Sequence, residues 1–311
     1  MRAVRVPRFG GPEVVEVQDV PVPSPGQNEV LVRVAAAGVA PWDAIIREGK
    51  SKVSGSAPLT LGSDLAGVVD RVGDGVKNIP TPGIRVGDAV YGVTNPQFVG
   101  AQAEYAVCQA GMIAPKPQGL SDLEAGSAPV IAVTAWQMLF EYANSKPGET
   151  VLIVGAAGNV GAYAVEMAVS SGIRVVAIAR KKDEELLREL GAGVIVDSEA
   201  PEFERGLPRV DAILDLVGGE TVQKCVAALK ENGKLISVVS AEIETQREDV
   251  KPVFFYAEVT TARLRKITEM FEAGKIRARV GSVVSLEEAL RAYEMLAGAP
   301  HEPGKIMLRV R

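Results

Sequence analysis

From Val151 onward the chain alternates short, β-branched apolar runs with helical stretches, and few architectures accept that pattern. The runs are "VLIVG", "RVVAIA", "GVIVD", "VDAILDLV" and "GKLISVV", and stretches such as "AYAVEMAVSSG" and "DEELLRELG" fall between several of them. Strands that are apolar on both faces and separated by helices indicate a parallel sheet covered on both sides. The first third reads differently. "EVVEVQDV" and "EVLVRVAAAGV" alternate apolar with polar residues, as half-buried strands do. "FGGP", "VPVPSPGQ" and "GDG" punctuate them as turns, which predicts a small β-barrel or sandwich ending near Leu120. Ser121 then opens the helical stretch "SDLEAGSAPVIAVTAWQMLFEYAN", with Glu124 placed to complete a capping box. A length of 311 residues suits two domains. The expected layout is a barrel over 1–122, an α/β domain over 123–262, and a segment over 263–311 whose helix and final strand return to the first domain.

The loop after the first apolar run, "GAAGNVG", poses the chemical question. A dinucleotide-binding turn needs glycine for the turn itself, for close approach of the pyrophosphate, and for packing helix on strand. Gly158 and Gly161 match the last two positions; Ala156 stands at the first, directly after Gly155. The helix expected from Asn159 would offer its free N–H groups and positive dipole end to an anion. A glycine corner that holds no ligand is the plain alternative. Further along, an NAD-binding chain would carry an acid for the ribose 2′-hydroxyl. Arg180, Lys181 and Lys182 stand there instead. A 2′-phosphate would explain three cations at a helix start, where the dipole disfavours them. So would a solvated charge cluster beside Asp183, Glu184 and Glu185. The expected cofactor is NADPH.

Several kinds of chemistry lack their residues. The one histidine, His301, lies in the loop "GAPHEPGK" with no evident partner for a hydrolytic triad. The two cysteines, Cys108 and Cys225, cluster neither with each other nor with the histidine, so no metal site is expected. They read as free thiols of a reducing compartment. A net charge of −5 with mixed signs argues against nucleic acid. No apolar run reaches membrane-spanning length, and the start of the chain lacks a signal-peptide core. A cytoplasmic protein is expected.

Motifs along nearly the whole chain give it a wider resemblance. "AAGVAPWDAIIREG", "PLTLGSDLAGVVDRVGDGV" and "RVGDAVYG" are followed in order by "VTAWQML", "VLIVGAAGNVG", "LRELGA" and "GKIMLRV". In these it resembles the zinc-free quinone oxidoreductase branch of the medium-chain dehydrogenase/reductase superfamily. The resemblance implies a GroES-like β-barrel joined to a Rossmann domain with a doubly wound parallel sheet. Zinc alcohol dehydrogenases of this superfamily use a cysteine where Ala40 stands and a histidine–glutamate pair where Ser63–Asp64 stand. Their four-cysteine lobe is replaced by "DAVYGVTNPQFVGAQAEYAVC", which runs straight through. The turn reading gives cofactor contacts from Gly155, Ala156, Ala157, Gly158, Asn159, Val160 and Gly161, and the strand-end cations give Arg180 and Lys181; to these the resemblance adds Thr134, Val217 and Phe255. Two positions depart from it. Ser198 follows Asp197 where relatives often have tyrosine, and zinc-free relatives often carry asparagine at Ala40.

The reaction so implied moves a hydride from NADPH to a quinone or an α,β-unsaturated carbonyl. Without a Lewis acid, charge on the substrate oxygen must be met by hydrogen-bond donors or water. The candidates are the Trp42 N–H, the Thr134 hydroxyl and Tyr256. Asp43 either orients the site or caps the turn into "AIIREG". Two rivals remain: a 2-enoyl-thioester reductase, and a crystallin-like protein that holds NADPH without turnover. No tyrosine occurs between Trp42 and Gly62, which counts against the first. The apolar run "KPVFFYAEV", together with the resemblance, suggests a homodimer paired across a sheet edge.

Overall fold

The computed structural model describes residues 1–76, 83–243, 245 and 247–311. The chain forms two compact units. One comprises Met1–Val130, Val259–Ala273 and Ala278–Arg311; the other comprises Ile131–Glu258 and Gly274–Arg277.

The first unit is β-rich because its sequence alternates. Its larger sheet has seven strands, in the order Val280–Ser285, Lys305–Arg309, Glu29–Val39, Asp64–Val72, Ala89–Val93 and Ile113–Pro115; Tyr105–Gln109 also pairs with Glu29–Val39. A three-stranded sheet joins Glu16–Asp19, Arg2–Val6 and Leu59–Thr60. The long strand Glu29–Val39 organises the unit, since three neighbours hydrogen-bond to it. One of them is the C-terminal strand, whose Met307 and Leu308 lie opposite Gly38 and Ala37. The strand Lys305–Arg309 is thus part of the first unit. Two clusters of buried aliphatic side chains fill the unit.

The second unit is a six-stranded sheet in which every pair is parallel. The order is Val194–Asp197, Arg174–Ala179, Thr150–Val154, Val210–Asp215, Leu229–Ser237 and Val253–Phe254. In chain order this is 3-2-1-4-5-6, the doubly wound arrangement. The apolar runs occupy the sheet interior: Val151–Val154 and Ile213–Leu214 are wholly buried. Helix Asn159–Ser170 is buried on all sides from Gly161 to Ala168. The run "VFFY" supplies the edge strand Val253–Phe254.

The stretch after Ser121 is helical, but in pieces. Ser121 caps Asp122–Ser127, accepting the Glu124 N–H at 3.3 Å and donating its own to Glu124 Oε2 at 2.8 Å. Pro129 has no N–H to continue that ladder, so a second helix starts there, Pro129–Trp136, and loosens into a π-turn over Gln137–Tyr142. Among the described residues no helix is long and apolar enough to cross a membrane.

Candidate active site

In a doubly wound sheet, ligands bind beyond the carboxyl ends of the strands where the strand order reverses. Here that point lies between Thr150–Val154 and Val210–Asp215, because Arg174–Ala179 sits on the other side of the first strand. Gly155 leaves the first strand at φ +80°, and its N–H and that of Ala156 both donate to Ile178 O, at 3.0 and 3.2 Å. The Gly158 N–H closes the turn onto Gly155 O at 3.0 Å. Ala156 is fully buried beneath the turn, whereas Gly158 is exposed at its tip and caps the helix. A side chain at Gly161 would put its Cβ 2.3 Å from Gly155 O. Glycine is required there for the helix to approach the strand.

The turn thus presents the first N–H groups of a twelve-residue helix, from Asn159, Val160 and Gly161, with no preceding helical carbonyl to accept them. That is an anion cradle. Val217 faces it from the loop after the neighbouring strand: a Cβ on Gly155 would come within 2.7 Å of Val217 Cγ2. The Val217 loop is itself held by the buried Asp215 carboxylate, which accepts the N–H groups of Val217 and Gly218 and the Ser237 hydroxyl. These residues fit a dinucleotide. Asp215 was not among the residues singled out from sequence, although "LDL" followed by two glycines signals a carboxylate folding back on its own turn.

Arg180 follows the second strand and begins a turn over Lys181–Asp183. Both cations are exposed, and each has an acid in the next turn: Arg180 with Asp183 at 3.4 Å, and Lys181 with Glu184. Exposed pairs of this kind are worth about 0–1 kcal/mol, so a phosphate can displace the acids. Ser198 donates its backbone N–H to Ala179 O at 2.8 Å, at the same end of the sheet. The Phe255 ring stacks on Tyr142 at 4.2 Å and is buried, which leaves its backbone as the part able to meet a cofactor. Tyr256 stands in solvent, 73% exposed, edge-on to Phe254. Thr134 lies buried on the helix Pro129–Trp136.

In the first unit, Trp42 and Asp43 begin the helix Pro41–Arg47. The Trp42 indole N–H donates to Ser63 Oγ at 3.0 Å. An indole has a single donor, so the one expected to meet substrate is already engaged within the unit. Asp43 is buried and accepts the Ala40 N–H at 2.9 Å through Oδ2. Of the two roles open to it from sequence, this geometry displays the cap; Ala40, with no side-chain oxygen, returns no bond. Asp43 Oδ1 is buried without a hydrogen bond, although the nearby Gly62 N–H favours the charged form. Burial pushes the carboxyl up to about 7, against the pull of Lys305.

Lys305 is a second residue that the sequence did not mark. Its ammonium lies 2.8 Å from Asp64 Oδ2, and both side chains are almost wholly buried. Asp64 thus faces a lysine at a position where zinc relatives carry a ligand pair. Among the described residues no group of three His, Cys, Asp or Glu side chains is placed to hold a metal ion. The donor set does not fit zinc.

Residues 26–118 match the family described as alcohol dehydrogenase GroES-like domain, and residues 190–308 match zinc-binding dehydrogenase. The chain is 33% identical to the 2-methylene-furan-3-one reductase of Solanum lycopersicum, over 89% of this chain and 70% of that one. The structure of the quinone oxidoreductase from Coxiella burnetii superposes with a TM-score of 0.89 at 30% identity, covering 100% of this chain and 99% of the other. A mycobacterial protein solved as a complex with NADPH superposes with a TM-score of 0.86 at 28% identity, covering 100% of both chains. The chain therefore belongs to the quinone oxidoreductase branch of the medium-chain dehydrogenase/reductase superfamily and is an oxidoreductase that takes a nicotinamide cofactor and a small-molecule substrate.

Proposed function

We propose that this protein reduces a quinone or an α,β-unsaturated carbonyl with NADPH and without zinc. The observation that carries the reading is the pairing of an anion-cradling turn at Gly155–Gly161 with Arg180 and Lys181, where an NAD-specific chain would carry an acid. Bound NADPH would supply a hydride from its nicotinamide ring. Asn159, Val160 and Gly161 would hold the pyrophosphate, Arg180 and Lys181 the 2′-phosphate, and Val217 and the Phe255 backbone the remainder. The named activities of the relatives, a quinone oxidoreductase and an enone reductase, support a conjugated acceptor.

The remaining chemistry makes modest demands on the chain. Conjugation spreads the charge that arrives with a hydride, so hydrogen-bond donors and water can meet it. The Thr134 hydroxyl and the exposed Tyr256 hydroxyl are the candidate donors. Trp42 and Asp43 hold the start of their own helix. An isolated ketone or a simple alcohol would need an alkoxide stabilised by a stronger electrophile, and the pairing of Asp64 with Lys305 supports a reaction that does without one. The edge strand Val253–Phe254 is the surface proposed to pair two chains as a homodimer.

A deuterium label tests the assignment directly. With NADPH deuterated at the transferring position of its nicotinamide, a reduced enone should carry the label at its β-carbon. Reduction without label transfer would rule out direct hydride delivery.

A further inference from the structure

A buried ion pair is an expensive way to hold a core together. Desolvating both charges costs as much as their attraction returns, and an apolar pair of similar volume often packs at least as well. The Lys305–Asp64 pair nevertheless sits in the first unit with side chains 2% and 1% exposed. The backbone is shaped to admit it. A Cβ on Gly38 would come 2.8 Å from Lys305 Cε and 3.1 Å from Asp64 Cβ, so the glycine leaves the slot through which the lysine reaches.

Each charge in the pair also has a second contact. Lys305 Nζ lies 4.3 Å from the centroid of the Trp42 ring, an arrangement that uses the charge to fix the face of the indole. The indole edge is fixed in turn by its bond to Ser63. Asp64 Oδ1 accepts the Val130 N–H at 3.0 Å, at the start of the helix that carries Thr134. A carboxylate there also suits the positive end of the helix dipole. One ammonium therefore fixes the Trp42 ring and, through Asp64, the Val130 N–H at the start of its helix.

We propose that Lys305 is a positioning residue for hydride transfer: its ammonium, through Asp64, fixes the start of the helix Pro129–Trp136, which carries the proposed donor Thr134, and it holds the ring of Trp42. This rests on the reductase reading above. The Lys305 ammonium is engaged by Asp64 and by the Trp42 ring, and its effect depends on charge rather than on filling space.

The test compares Lys305→Met, Lys305→Arg and the double variant Lys305→Met/Asp64→Asn, which removes both charges together. Three readouts are used: kcat with 1,4-benzoquinone, the dissociation constant of NADPH, and Trp42 emission in a Trp136→Phe background. Lys305→Met should lower kcat by about 10²-fold, the scale of a small misplacement, while NADPH affinity changes far less. It should also shift Trp42 emission. Lys305→Arg should recover part of the turnover. Lys305→Met strands a buried carboxylate and can fail to fold; the double variant relieves that, and should recover thermal stability but not turnover. A double variant with parental kcat and unaltered Trp42 emission would make the pair purely structural and overturn the proposal. If the parent protein turns over no acceptor, the reductase reading falls by itself. Lys305 is then judged by Trp42 emission, and unchanged emission in both uncharged variants overturns its placement.

Discussion

Arg180 carries the discrimination between the two nicotinamide cofactors in this account. It is exposed and pairs with an acid three residues on, so its replacement disturbs little packing. Arg180→Asp should cost about tenfold or more in NADPH affinity, the equivalent of one lost charge-assisted bond, with NADH affinity held or improved. Fluorescence titration with each cofactor reads this; parallel losses for both would contradict it. Asp43 gives a second, independent prediction. Its native carboxyl is raised from 3.8 to about 7 by burial. Across that window the native state keeps a proton that the unfolded chain has released, so stability falls as pH rises and levels off above about 7. Asp43→Asn keeps an oxygen for the Ala40 N–H and removes the titration. Its stability relative to the parent in urea should rise from pH 3.8 to about 7, by at most about 4 kcal/mol. A constant difference across the window would show that Asp43 stays charged in the fold. At this scale sequence was least informative. Lys305 and Asp64 are 241 residues apart, and nothing local to either one marks the pair. The Ser63 partner of Trp42 is likewise set by tertiary packing.

The elements were far more legible. Period-two alternation marked the strands of the first unit, and continuous apolar runs marked the parallel strands of the second, because burial on one face or on two leaves those signatures. The glycine turn was readable even with alanine at its first position, since Gly161 is fixed by backbone contact rather than by ligand. The break at Pro129 was not anticipated, although proline's missing N–H explains it. Gly161→Ala isolates the turn as an element. Its Cβ would overlap Gly155 O, so the helix must retreat from the strand and carry its N–H groups away from the pyrophosphate. The variant should keep the circular dichroism of the parent while losing about tenfold or more in affinity for both NADPH and NADH. Unaltered affinity would place the nucleotide elsewhere.

For the molecule as a whole, the chemistry of its proposed substrates bears on its cysteines. Quinones and enones alkylate thiolates. Cys108 and Cys225 are both fully buried, and burial raises both thiols, Cys225 to about 12. Thiols held neutral and inaccessible are inert. The native protein should leave both cysteines unlabelled by a maleimide over the time of an assay, and expose both in denaturant. Rapid labelling of either in the native state would contradict the packing of that unit.

If hydride passes from NADPH to a conjugated acceptor without zinc, chelator-treated protein should keep its steady-state turnover. NADPH consumption with a quinone or an enone should be undiminished, with a lower rate for NADH, negligible NADP⁺ reduction by ethanol, and no stoichiometric zinc by elemental analysis. Efficient ethanol oxidation that is lost on chelation, with no turnover of any conjugated acceptor, would contradict zinc-independent transfer.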